Sequence, residues 1–174
     1  MKAMDFKRIS IRGRVAFSIV CLENSIKHFQ LSELEWDFLL KLLWNYTSIN
    51  MGTWHYQVAE CIPRGVLNDT DDLSDLDFLS ETQFWSLNQL YKKCNNELLE
   101  IIDLIFFIGI SDLYSSIENY SPQTIEYLQE ILLIMNKHKI PLPPVNMFYQ
   151  FSITEYNGWG REFTREDVFR NISN

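Results

Sequence analysis

Apolar positions recur along most of this chain in steps of three and four, the spacing of helices with one face turned to a core. The longest such run lies between Ser80 and Leu113, where Phe84, Leu87, Tyr91, Cys94, Leu98, Ile101, Ile105 and Ile108 share a face. Ser80 and Gln83 are spaced as a capping box, which satisfies two free amides at a helix start. Lys92, Lys93, Asn96, Glu97, Glu100 and Asp103 mark the opposite face. From Ile101 to Ile110 the pattern closes over, apolar on every side except at Asp103 and Gly109. A helix apolar all round is covered by others. The expected fold is therefore mainly α, a helical bundle around a central helix at about 80–113, with Gly109 ending or bending that helix. The run is too short and too interrupted to cross a bilayer, which takes ~20 apolar residues.

The other segments follow the same period. Ile11, Val15, Ile19, Leu22, Ile26 and Phe29 predict a helix over 11–29, with Arg12, Arg14, Glu23, Asn24 and Lys27 off its apolar face. Ser32 and Glu35 form a second capping-box pattern, and 34–46 is apolar on both faces, which predicts a largely buried helix. Residues 50–53 read as a turn, 54–61 as a short helix stopped by Pro63, and 63–79 as a loop. Ser121-Pro122 is a strong helix start, and the stripe Ile125, Leu128, Leu132 and Met135 follows it.

After Pro141, Pro143 and Pro144 the period changes. Phe151 and Ile153 alternate with polar neighbours, and Asn157-Gly158 is a favoured hairpin turn, so 148–156 and 159–163 are expected to pair as a small C-terminal β-hairpin. Thr164 and Asp167 could cap a last short helix. The organisation expected is a single helical domain over 1–174, with 141–174 as an extended, hairpin-bearing appendage packed on it.

Charge refines this picture. Lys2, Lys7, Arg8, Arg12 and Arg14 face Asp5 alone, a net +4, so the remainder carries −12 of a total of −8. The basic segment reads as a solvated arm and first helical turn, since a strongly acidic body repels nucleic acid and anionic membrane and favours basic partners. Cys21, Cys61 and Cys94 are widely spaced and odd in number, and the N-terminus lacks a cleavable apolar run. Small core cysteines in a reduced, cytoplasmic protein are the expectation.

Catalytic signatures are sparse. His28, His55 and His138 fall in distant segments, and neither metal-ligand spacing nor a phosphate-cradling glycine loop is present, so no metal and no cofactor is expected. Asp69, Asp71, Asp72, Asp75 and Asp77 form an acidic run. Read as an EF-hand from Asp69 it fails, with Leu73 at a ligand position, Ser74 where glycine is required and Ser80 where the closing Glu should stand. It reads as a solvated loop or as a surface for a basic partner. Asp103, with Glu100 a turn earlier, is either a carboxylate bonded to a neighbouring helix or a general acid or base.

Three readings follow: a non-enzymatic inhibitor of a basic protein, a small helical enzyme using buried carboxylates, and a scaffold or subunit of a larger assembly. The acidic loop from Asp69 to Asp77, the compact helical layout and the segment Tyr156-Asn157-Gly158-Trp159-Gly160 resemble those of immunity proteins of bacterial toxin–immunity systems. The resemblance implies a protein that is not an enzyme and that neutralises a cognate basic toxin domain, such as a nuclease, by direct binding. The acidic run itself gives the expected partner-binding residues, Asp69, Asp71, Asp72, Asp75 and Asp77, with Tyr156 and Trp159 as aromatic anchors if folding places them near that loop. The basic N-terminus departs from a uniformly acidic surface.

Overall fold

The computed structural model describes residues 3–68 and 73–170. It is mainly helical: α1 (Ile11–His28), α2 (Glu33–Trp44), α3 (Met51–Ala59), α4 (Pro63–Asn68), α5 (Glu81–Lys92), α6 (Asn96–Ile110), α7 (Pro122–Lys137) and α8 (Arg165–Phe169). Among the described residues no helix is long and apolar enough to cross a membrane.

The expected central helix is two helices. Ser80 and Gln83 form the capping box and α5 runs to Lys92, but Asn95 then caps a new start by accepting from Leu98 N–H at 2.9 Å. An Asn side chain that bonds its own backbone competes with helix continuation, and here it breaks the run at 93–95. Gly109 lies inside α6 for a packing reason: a Cβ there would sit 2.7 Å from the Trp54 ring. The helix most completely enclosed is α1, packed between α6, α7 and α2. Both Arg12 and Arg14, expected at the surface, are buried.

Helix starts differ in detail from expectation. Asn50 caps α3 by accepting from Gly52 and Thr53 N–H, so 50–53 is the first turn of that helix. Pro63 opens α4, a helix where a loop was expected. Ser32 precedes α2 without a side-chain cap bond, and Glu35 pairs instead with Lys93 at 3.2 Å. On α2, Leu34 is 88% exposed rather than buried. Thr164 and Asp167 do form the capping box of α8.

The C-terminal hairpin does not form. Tyr156, Asn157 and Gly158 adopt left-handed φ values of 46°, 53° and 96°, yet the flanking segments spend their backbone bonds elsewhere. Ser10 N–H donates to Phe151 O at 2.8 Å and Ile153 N–H to Arg8 O at 2.9 Å. On the other side Arg12 N–H donates to Trp159 O at 3.1 Å and Phe163 N–H to Thr47 O at 3.0 Å. An isolated antiparallel bridge, Ile9 to Ser152, is the β pairing recorded among the described residues. The segment thus wraps the start of α1, and Phe151 and Phe163 stack with centroids 3.6 Å apart. A two-stranded hairpin alone is marginal; residues 8–12 and Thr47 offer both arms other partners.

Candidate binding surfaces

Two loops meet beyond the C-terminal end of α6. One, residues 111–121, carries Tyr114 and Tyr120; the other, 155–160, carries Tyr156 and Trp159. They touch where Gly158 lies beneath Ile117, so closely that a Cβ at 158 would come within 2.9 Å of it. Both loops are fastened to the first turns of α1. Arg12 takes the Trp159 carbonyl on its backbone N–H, while its guanidinium donates to Tyr46 O and Ile49 O. Arg14, fully buried, donates from Nη1 to Tyr120 O at 2.7 Å, Ser121 O at 3.2 Å and Thr124 Oγ1 at 2.6 Å, and from Nε to Phe6 O at 3.2 Å. Burial lowers the Arg14 pKa to about 10, with Asp112 acting the other way.

The backbone of these loops is strained. Asn119, Tyr120 and Ser121 have φ of 47°, 64° and 50°, and Tyr156 and Asn157 have 46° and 53°. Gln30 and Lys139 share this region for an ordinary reason, since each follows a helix C-cap whose 6→1 bond closes the end (Leu31 N–H to Ile26 O, Ile140 N–H to Met135 O). No helix end explains the two tyrosines. A bulky residue held there costs about 1–3 kcal/mol and persists only where the surroundings impose it. At Tyr120 that surrounding is Arg14, with Ser121 Oγ donating to Asp112 Oδ2 at 2.5 Å. Tyr114, Tyr120 and Tyr156 are 88%, 53% and 73% exposed, and Tyr114 also lies edge-on to His55 of α3.

Of the residues expected to bind a partner, Tyr156 is displayed and Trp159 is half-buried. Asp75 and Asp77 are exposed; Asp69, Asp71 and Asp72 lie outside the described residues. Asp77 belongs to a segment tied to α3, where the Glu60 carboxylate accepts from Asp77, Phe78 and Leu79 N–H, and Phe78 stacks on Phe38 of α2. Asp77 and the Tyr156 turn are thus attached to different elements. Tyr114 and Tyr120 were missed; their signal is two tyrosines in a segment of Ser, Asp, Glu and Asn without helical period.

A cleft of about 580 Å³ lies elsewhere, between α1, α2 and α8. Its floor is Glu23, which accepts from Trp44 Nε1 at 2.9 Å and from Arg165 Nε and Nη2 at 3.0 and 3.2 Å. That hydrogen bonding raises the Arg165 pKa above the usual guanidinium value, and the charges of Glu23, Glu166 and Glu33 add to the effect. Glu23 and Arg165 are 142 residues apart, and no spacing in the sequence announces them.

Asp103 lies away from this cleft, half-buried on α6, with Oδ1 buried and not hydrogen-bonded. Burial raises its pKa to about 6, Arg64 opposing and Glu100 reinforcing. The structure does not give it the bonded partner on a neighbouring helix that was one expectation. The histidines go to three places: His28 against Phe29, His55 against Phe106, and His138 on Glu97 at 3.2 Å. Among the described residues no group of three or more His, Cys, Asp or Glu could hold a metal ion. Cys21 and Cys61 are buried, Cys94 half-buried, and burial raises all three thiol pKa values, to about 12 at Cys61 and about 11 at Cys94.

Compared with protein-family models, with curated proteins and with solved structures, the chain matches none.

Proposed function

We propose that the chain is a non-enzymatic binding protein of the immunity type, which neutralises a cognate basic toxin domain by docking on it. The observation that carries this reading is the display of Tyr120 and Tyr156, both exposed and both held at positive φ. Rigid aromatic side chains lose little entropy on binding and dominate interface energetics. A net charge of −8, with Asp75 and Asp77 exposed, steers a basic partner and raises its association rate. The compartment expected for such a pair is the cytoplasm.

The experiment is co-expression with the protein encoded by the adjoining reading frame, followed by calorimetry on the purified pair. The native chain should bind and restore growth. Tyr120→Ala with Tyr156→Ala should weaken binding by about 100-fold or more, as loss of two hot-spot aromatics does. Asp75→Asn with Asp77→Asn should chiefly slow association, and the slowing should fade at high salt. Wild-type affinity in the double tyrosine variant would remove this face from the interface.

A small enzyme built on Asp103 is the second reading, favoured by that carboxyl's pKa of about 6. An activity abolished by Asp103→Asn in a folded protein would establish it.

A further inference from the structure

The cleft between α1, α2 and α8 has a chemistry different from that of the tyrosine face. At about 580 Å³ it has the size of sites that enclose a small ligand or a pair of side chains. Its floor carboxylate, Glu23, is only 9% exposed. Such a charge must be paired, and its pair is the forked guanidinium of Arg165, a geometry that lysine cannot reproduce. That guanidinium lies 5.9 Å from the Trp44 ring and 5.1 Å from the Phe169 ring, within reach of cation–π attraction. Carboxylates and an aromatic face gathered around one guanidinium show which chemistry the hollow accepts.

Two features indicate that Arg165 is not its sole intended occupant. Arg165 arrives on α8, five residues long, and its side chain remains 47% exposed, so it can leave without unpacking the body. The cleft also extends past it. Leu40 lines the wall, and Leu34, 88% exposed, offers apolar surface that no described residue covers. Glu33, Asp37 and Glu166 in the lining outnumber Lys27 and Lys41, and Lys41 is held by Asp37 at 2.7 Å, so negative charge prevails close to that surface.

We propose that this cleft is a receptor site for an arginine-bearing peptide segment, and that Arg165 is its tethered resident, displaced when the segment binds. The incoming guanidinium takes the fork on Glu23 beside Trp44, and a neighbouring apolar residue covers Leu34 and Leu40. Arg165 swings to solvent, where Glu166 remains beside it in sequence. The site stands apart from the tyrosine face and holds whether or not that face binds a toxin.

The probe is acetyl-Leu-Arg-amide, titrated into the ¹⁵N-labelled full chain while the Trp44 indole N–H resonance, assigned with Trp44→Phe, is followed. A tethered competitor acts at a millimolar-scale effective concentration, so Arg165→Ala should tighten binding by about tenfold or more. The Trp44 resonance should shift on titration, and Glu23→Gln combined with Arg165→Ala should abolish the binding. Arg165→Gln, which keeps one hydrogen bond to Glu23, serves if the alanine variant does not fold, and should tighten binding less. Equal or weaker binding after removal of Arg165, an unmoved Trp44 resonance, or binding that survives Glu23→Gln would overturn the proposal. Agmatine binding as tightly as the dipeptide would overturn its peptide component and assign the site to a free alkylguanidinium.

Discussion

Helices α1 and α6 are both enclosed by their neighbours, but by different physics. Helix α6 buries Leu98, Ile101, Ile102, Leu104, Ile105, Phe106 and Ile108, so removal of apolar surface from water suffices to hold it. Helix α1 buries Arg12, Arg14, Ser18, Glu23 and Ser25 along with its apolar residues. Each of these has partners: the arginines carbonyls, though Arg12 Nε and Arg14 Nη2 are buried without one, Ser18 and Ser25 carbonyls of their own helix, and Glu23 the side chains of Trp44 and Arg165. One helix is inside because it has little to lose there. The other is inside because distant segments bring it partners.

The comparison breaks most sharply at Arg14. Arg14→Ala takes the donor from Tyr120 O, whereas Phe6 O keeps Ile9 N–H and Ser121 O keeps Thr124 Oγ1, and it empties the space of a fully buried side chain. One orphaned group costs about 1–3 kcal/mol and the emptied volume adds to it, so a loss of roughly 2–5 kcal/mol is expected in urea denaturation. A loss under about 1 kcal/mol would mean that α1 is held by apolar contacts alone, as α6 is.

Gly109 tests the packing side. A Cβ there would stand 2.7 and 2.8 Å from two ring atoms of Trp54 and 3.2 Å from the Tyr46 ring. Gly109→Ala gains helix propensity but overpacks this contact, and a net cost of about 1–3 kcal/mol is expected by thermal denaturation. A stabilised variant would show that the α3–α6 contact is loose enough to yield.

The smallest expected effect concerns the one charge in the apolar run of α6. Folding raises the Asp103 pKa from 3.8 to about 6, so the folded state binds this proton more tightly than the unfolded one. Asp103 therefore disfavours folding when charged: stability falls as pH rises between about 3.8 and about 6, then stays level as far as this group is concerned. Asp103→Asn should remove that slope and be relatively more stable at pH 7 than at pH 4, read from denaturation midpoints at the two values. An unchanged slope would place Asp103 in solvent.

The same contrast explains how much could be read from the chain. Most of the helices, the caps at Ser80 and Thr164 and the Pro122 start were legible because they are local, set by period and by side chains three residues apart; α4, expected as a loop, was not. The break at Asn95 is local too, but the apolar stripe runs across it without interruption. The hairpin failed because its turn chemistry is correct while its strands find better partners at Ser10, Arg12 and Thr47. The tyrosine face was half legible: Tyr156 stood out beside Asn157-Gly158, whereas Tyr120 depends on an arginine 106 residues away. The Glu23–Arg165 cleft was not legible at all, because a bidentate pair 142 residues apart is a property of the folded surface.

The reach of Arg14 bears on how the chain is born. Its hydroxyl partner, Thr124, follows it by 110 residues. At a synthesis rate of ~5–20 residues per second, Arg14 is added to the chain roughly 5–20 s before that partner. Through most of that interval the helix has neither α6 nor α7 to cover it, and Arg14 Nη1 lacks its acceptors on Tyr120, Ser121 and Thr124. Helix α1 is thus completed only once segments far downstream have been made, and until then the nascent chain carries a half-satisfied helix.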